Sequence, residues 1–188
     1  MKCYVASGLG NAARAEWLAN EIGSVLGWEI TYRWWEHGSV AAEGVERVRE
    51  VARAEADAVC RADVVIALLP GERGTHFELG MAGALGKRVV VICPPWAVPD
   101  YIGSSDPGGI GPRVCAFYHH PNVTLILEEP RDDLSWLARL VGSDGLGRPE
   151  VYVPSGLAGA EVVVHPDHAT TVHLPSGSVR VPKGGTHF

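Results

Sequence analysis

An unbroken apolar run, Val64-Val65-Ile66-Ala67-Leu68-Leu69, stops at Pro70-Gly71 and gives way within a few residues to a helical pattern that carries Glu78. β-branched and aliphatic side chains without alternation predict a strand over 63–69 covered on both faces, which is the environment of a parallel sheet. A strand buried on both sides cannot stand in a hairpin or an open antiparallel sheet. It needs helices above and below, and the flanking sequence supplies them.

The rest of the first 142 residues follows the same rhythm. Strands are expected over 3–6, 28–32, 89–92 and 123–127, with helices over 12–26, 44–61, 75–85 and 132–141. The first helix shows its inward stripe at Ala15, Leu18, Ala19, Ile22 and Leu26. This alternation predicts an α/β fold: a five-stranded parallel flavodoxin/Rossmann-like sheet, order 2-1-3-4-5, with helices on both faces. Ligands of such sheets bind outside the carboxyl ends of the strands, at the switch point. The Ser7-Gly8 turn and the 70–78 loop are expected to face each other there.

Two stretches break the rhythm. Residues 94–113 are rich in Pro, Gly and Ser around Trp96 and Tyr101, the composition of a lid or binding loop. Residues 142–149 read as a linker between a domain over 1–142 and a small β-rich C-terminal appendage over 150–188. The appendage has short alternating runs at 151–153, 162–164, 171–174 and 179–181. It is expected to pack on the main domain or on a neighbouring subunit, because so few residues are marginal alone.

Composition narrows the class of partner. A chain of 188 residues with 46% hydrophobic content, 20% charged content and a net charge of −6 is an ordinary globular protein with no basic surface for a nucleic acid polymer. No apolar run approaches the ~20 residues that span a bilayer, and the start of the chain lacks a signal-peptide layout, so no membrane partner and a cytoplasmic setting are expected. Cys3, Cys60, Cys93 and Cys115 have no metal or redox spacing and are expected to be reduced. His119, His120, His165, His168 and His173 fit no standard zinc pattern and read as solvated, so no metal is expected.

The chemistry gathers on two acids. Thr75-His76-Phe77-Glu78 has capping-box spacing, which would place Glu78 at the positive end of a helix and keep it ionised. Capping and chemistry are compatible there. On the preceding helix Val48, Val51, Ala52, Glu55, Val59 and Ala62 share one stripe, whereas Asp57 falls on the solvated face with Glu46, Glu50 and Arg53. An acid on an apolar stripe is costly unless it is paired or lines a cavity. Two carboxylates converging on a crevice can divide nucleophile and acid/base roles at a glycosidic bond. The Trp34-Trp35-Glu36-His37 loop offers aromatic faces that suit either a flat heterocycle or core packing.

The run from Ala62 to Lys87, with Pro70-Gly71, Arg73-Gly74-Thr75-His76-Phe77-Glu78-Leu79-Gly80 and Ala84-Leu85-Gly86 inside it, resembles the nucleoside 2-deoxyribosyltransferase family. That superfamily includes the 2′-deoxynucleoside 5′-monophosphate N-hydrolases. The likeness spans about residues 2 to 130 and is most specific at Glu78-Leu79-Gly80; the Cys3-Tyr4-Val5-Ala6-Ser7-Gly8 opening fits it as well. It implies an enzyme needing no cofactor, in which Glu78 attacks the anomeric carbon and forms a glycosyl-enzyme. Glu55, eight positions before Asp63, would serve the leaving base, and Tyr4 would orient the nucleophile. Ser7 and Gly8 would approach the sugar or a 5′ group with backbone N–H donors; Gly71, Gly74, His76, whose position not all relatives share, and Trp34, through its aromatic face, are further candidate substrate contacts. The implied partners are a small nucleoside or nucleotide, an acceptor base and further copies of the chain, with transfer, 5′-monophosphate hydrolysis or non-catalytic nucleotide binding as alternatives. The family pattern has Asp where this chain has Glu55, one methylene longer.

Overall fold

The structure, a computed structural model, describes residues 1–102, 115–120, 123–127, 134, 137, 161–164, 170–174 and 177–181. Its main sheet is five-stranded and parallel, built from β1 (Lys2–Ala6), β2 (Glu29–Ile30), β3 (Val64–Leu68), β4 (Arg88–Ile92) and β5 (Val123–Ile126) in the order β2-β1-β3-β4-β5. The α/β class and the strand order are those expected. The chain divides into two compact units, one made of residues 1–89 with 130–144 and the other of 90–129 with 145–188.

In the first unit β1 is the hub, pairing in parallel with β2 on one side and with β3 on the other, Tyr4 opposite Val65. Every residue of β3 and four of the five in β1 are buried, as the unbroken apolar run requires. Each Val, Leu or Ile so placed contributes about 1.5–3 kcal/mol. The strand starts are pinned reciprocally: Asp63 donates its backbone N–H to the Lys2 carbonyl at 2.8 Å, and Lys2 donates its own to the Asp63 carboxylate at 2.7 Å.

Helix α1 (Ala12–Leu26) buries Ala15, Leu18, Ala19 and Ile22 and ends at Gly27, whose φ of 66° is a left-handed cap that only glycine adopts without strain. Helix α2 (Val45–Arg61) and helix α3 (Arg73–Ala84) pack against each other and on β1. The step from β1 to β2 runs opposite to that from β2 to β3, so right-handed crossovers put α1 and α2 on opposite faces.

Three features differ from the sequence expectation by more than a residue's shift at an element's end. β2 stops at Ile30 rather than running over 28–32: Thr31 still donates its N–H to the Cys3 carbonyl at 2.9 Å, but its own carbonyl accepts from the Arg61 side chain at 3.0 Å. On α2, Val48 and Ala52 are exposed; the buried positions are Val51, Ala58 and Val59. α3 begins two residues before Thr75, which bears on the site below. The helix expected over 132–141 lies outside the described residues except for Leu134 and Leu137, both fully buried.

In the second unit, residues 94–102 form a 3-10 turn (Pro95–Ala97) and a single helical turn, α4 (Val98–Tyr101). Trp96 is exposed and Tyr101 is buried; residues 103–113 of the expected lid lie outside the described residues. Burial pushes the Tyr118 hydroxyl well above its usual range, with Cys115 and Tyr101 adding to the shift. A second sheet is antiparallel, β6 (Glu161–Val164), β7 (Thr170–Leu174) and β8 (Gly177–Val181), with Val162 opposite Val172 and Val172 opposite Val179. The run expected at 151–153 and the pair His165 and His168 lie outside the described residues. All four cysteines are free, and no helix among the described residues is long and apolar enough to cross a membrane.

Candidate active site

The carboxyl ends of β1 and β3 are tied together by side chains. Ser7 donates its hydroxyl to the Leu68 carbonyl at 2.6 Å and receives the Asn11 amide at 3.0 Å. Its side chain is therefore a staple between the two strands. A Cβ on Gly8 would fall 2.8 Å from Glu72 Cγ, so only glycine admits the Glu72 side chain at this distance. The turn after β1 and the loop after β3 do meet, as the switch-point rule requires.

Helix α3 opens on a capping box, though not the expected one. Glu72 is the N-cap, its side chain accepting from the N3 backbone, and its own N–H donates to Thr75 Oγ1 at 3.1 Å. Thr75 thus sits at N3, and Glu78 lies in the second turn with its carboxylate free of the cap. The expectation that helix capping would hold Glu78 ionised is overturned. Glu78 is 8% exposed, and burial pushes its carboxyl up to about 7; the bond from Tyr4 pulls it down, and the Glu55 charge adds to the rise. Taking a carboxylate out of water outweighs a dipole that fades within the first turn.

Tyr4 stands in the middle of β1, fully buried, and donates its hydroxyl to Glu78 Oε1 at 2.5 Å. Burial, then the Glu78 charge, raises the phenol far above its usual range, so Tyr4 acts as a donor. Glu55 projects from α2, half-buried; burial raises its carboxyl and the neighbouring His37 lowers it.

A cavity of about 290 Å³ joins these groups. Ser7, Trp34, Glu55, Gly74 and Glu78 line it, whereas Tyr4 stands behind Glu78, reaching the cavity only through their hydrogen bond. Gly8 backs the wall through Glu72. Gly71 is packed under Thr75, where a Cβ would come within 2.9 Å of Thr75 Cγ2, and neither it nor His76 is among the lining residues. Trp34 is 5% exposed and donates Nε1–H to the Val5 carbonyl at 2.8 Å, so its indole is a fixed wall. Trp35 meets it edge to face at 5.6 Å.

Two titratable lining residues were not picked out as site residues from the sequence. His37 brings Nδ1 to the Gly38 carbonyl at 2.8 Å; a carbonyl only accepts, so the proton is on Nδ1 and Nε2 is left buried without a partner. Its place on the loop after β2, at the carboxyl edge of the sheet, was the available signal. Glu72 was hidden because the Thr75-to-Glu78 spacing offered a capping box of its own. Among the described residues no group of His, Cys, Asp or Glu side chains could hold a metal ion.

The family model for nucleoside 2-deoxyribosyltransferases matches residues 4–108, which hold β1, α1, β2, α2, β3, α3 and β4 and with them both acids. The chain belongs to the nucleoside 2-deoxyribosyltransferase family. The family's enzymes act at the N-glycosidic bond of nucleosides, which agrees with two carboxylates meeting in one cavity. Among solved structures the chain is similar to a CMP N-glycosidase of Clostridium botulinum, with 19% identity, a TM-score of 0.45 and coverage of 74% of this chain and 98% of that one. No curated protein matches it in sequence.

Proposed function

We propose that this family member cleaves the N-glycosidic bond of a 2-deoxyribonucleoside or nucleotide through a covalent glycosyl ester on Glu78 and passes the sugar to another base. The observation that carries the reading is the 2.5 Å bond from the buried Tyr4 hydroxyl to Glu78 Oε1. A hydroxyl placed there fixes one carboxylate oxygen and leaves the other to meet an electrophile.

In the first step an oxygen of the Glu78 carboxylate bonds to the anomeric carbon. The carbon–nitrogen bond breaks, its electron pair stays on the base, and the Glu55 carboxyl delivers a proton to the leaving nitrogen. In the second step Glu55, now a carboxylate, takes the proton from an acceptor base whose nitrogen displaces Glu78 from the sugar. Water in place of the acceptor gives free sugar. The raised Glu55 carboxyl supports its role as the acid. His37 Nε2 and the Trp34 ring edge the same cavity and suit a flat heterocycle with polar edges.

The test is a panel of deoxynucleosides and deoxynucleotides incubated with and without a free acceptor base, reading released and exchanged base by chromatography. Base exchange by the wild type that is lost in Glu78→Gln is the expected result. Turnover that survives this substitution would overturn the mechanism, and release that ignores the acceptor would make the protein a hydrolase.

A further inference from the structure

Beside the cavity of the two acids lies a second one. Its volume is about 400 Å³, and Ile30, Tyr32, Arg33, Glu36 and His37 line it, at the end of β2 and on the loop that follows. His37 belongs to both linings, so its ring is a partition between the two spaces. The hydrogen bond that holds the ring runs from Nδ1 to the carbonyl of the next residue, Gly38, and Nε2 is buried without a partner. A turn of this one side chain joins the two spaces without breaking a hydrogen bond to another element.

The outer cavity has the make-up of a site for a flat heterocycle. Tyr32 and His37 present two rings, centroids 5.8 Å apart and inclined at 48°, and Ile30 adds aliphatic surface. Arg33 and Glu36 supply donors and an acceptor side by side, with Nε 3.9 Å from Glu36 Oε1. That separation is too long for a hydrogen bond, so both groups keep capacity for a ligand. The guanidinium is ordered in advance: it donates to Asn20 Oδ1 at 3.1 Å and lies over the Trp35 ring at 5.9 Å. Ring faces with a donor and an acceptor at the edge match a nucleobase, which stacks through its face and carries donors and acceptors on its rim. An anion such as phosphate is poorly matched, because Glu36 offsets the charge of Arg33.

Transfer between bases makes a demand that cleavage alone does not. The leaving base has to be replaced while the sugar stays on Glu78, and water competes for that sugar throughout. We propose that the outer cavity is a holding site for the acceptor base, which passes His37 into the cavity of Glu55 and Glu78 once the first base has left. This rests on the reading of the protein as a glycosyl-transferring enzyme. A base held next to the glycosyl-enzyme meets it at an effective concentration far above that in solution, which is how it outruns water.

The experiment follows transfer from a deoxynucleoside to free adenine or cytosine in wild type and Arg33→Gln. It reads KM for the acceptor base beside the rate of base release with no acceptor present. Arg33 lies outside the cavity of the two acids. The expected result is an acceptor KM raised by about tenfold through loss of hydrogen bonds from a charged donor, with base release in the absence of acceptor unchanged. If Arg33→Gln is recovered unfolded, Tyr32→Leu is read in its place, with the same expectation from the lost ring face. An acceptor KM that the substitution does not move, a loss that falls equally on base release, or release that no acceptor diverts overturns the proposal. If wild type releases no base from any nucleoside, the glycosyl-transfer reading fails by itself. Ligand-observed NMR with free adenine and cytosine then decides this one: binding to wild type that the substitution weakens supports it, and no binding, or binding left unchanged, overturns it.

Discussion

The surroundings of the two acids in the cavity are built in opposite ways. Around Glu78 the interior is finished: Tyr4 is fully buried and bonded to it, and the helix start that carries it is closed by Glu72 and Thr75. Around Glu55 the wall is half-open, with His37 Nε2 buried but unpartnered. Buried polar atoms normally find partners, so an atom left over in a cavity wall marks where a ligand completes the structure. In the proposed mechanism the nucleophile's end is organised before substrate arrives, and the leaving group's end is organised by substrate.

The largest effect that can break this contrast comes from Glu78→Gln. Turnover should fall by more than about 1,000-fold, since no other group in the cavity is held as a nucleophile. The same variant should be more stable than wild type in alkaline solution. The Glu78 carboxyl is raised to about 7 in the folded protein, so the stability of its protonated form is fully present at acid pH and is lost as pH rises through about 7. Gln does not titrate, and melting temperatures at pH 5 and 8 should show its advantage only at the higher pH.

Next in size is Glu55→Gln, expected to cost about 100-fold in kcat through loss of the acid. It should also move the ionisation of Glu78. The Glu55 charge helps to raise it, so the acid limb of the kcat/KM profile should shift to lower pH in the variant. An unmoved limb would mean that the two acids do not share one site.

Tyr4→Phe removes a bond to a charged acceptor, worth about 1.5–3 kcal/mol, and should lower kcat/KM by about 10–100-fold. Because that bond lowers the Glu78 ionisation, the acid limb should move up, opposite to the effect of Glu55→Gln. The opposed shifts sharpen the contrast between the two ends. Trp34→Phe is the mildest: it breaks the bond to the Val5 carbonyl and should cost ~1 kcal/mol of stability, read by denaturant unfolding, with a smaller change in turnover.

How much of this was legible in the sequence depends on how local each cause is. The buried strand β3 and the 12–26 helix were read from pattern alone, because burial on both faces and a helical stripe are written in consecutive residues. Glu55 was found because an acid on an apolar stripe contradicts its neighbours. The start of α3 was misread because two Thr–Glu pairs of equal spacing overlap at Thr75, and only the fold shows that Glu72 turns inward over Gly8. The rise in the Glu78 ionisation could not be read either, since it comes first from burial in the folded protein and then from the charge of Glu55, 23 positions away along the chain.

The central claim, a sugar carried on Glu78, is tested most directly by intact-protein mass spectrometry after incubation with a nucleoside bearing fluorine at C2 of the sugar. Fluorine there destabilises positive charge at C1 and lets the glycosyl-enzyme accumulate. The expected result is one equivalent of base released and a mass increase of one fluorosugar, located on Glu78 by peptide fragmentation and absent from Glu78→Gln. Release of base without an adduct, or an adduct on any other residue, would contradict it.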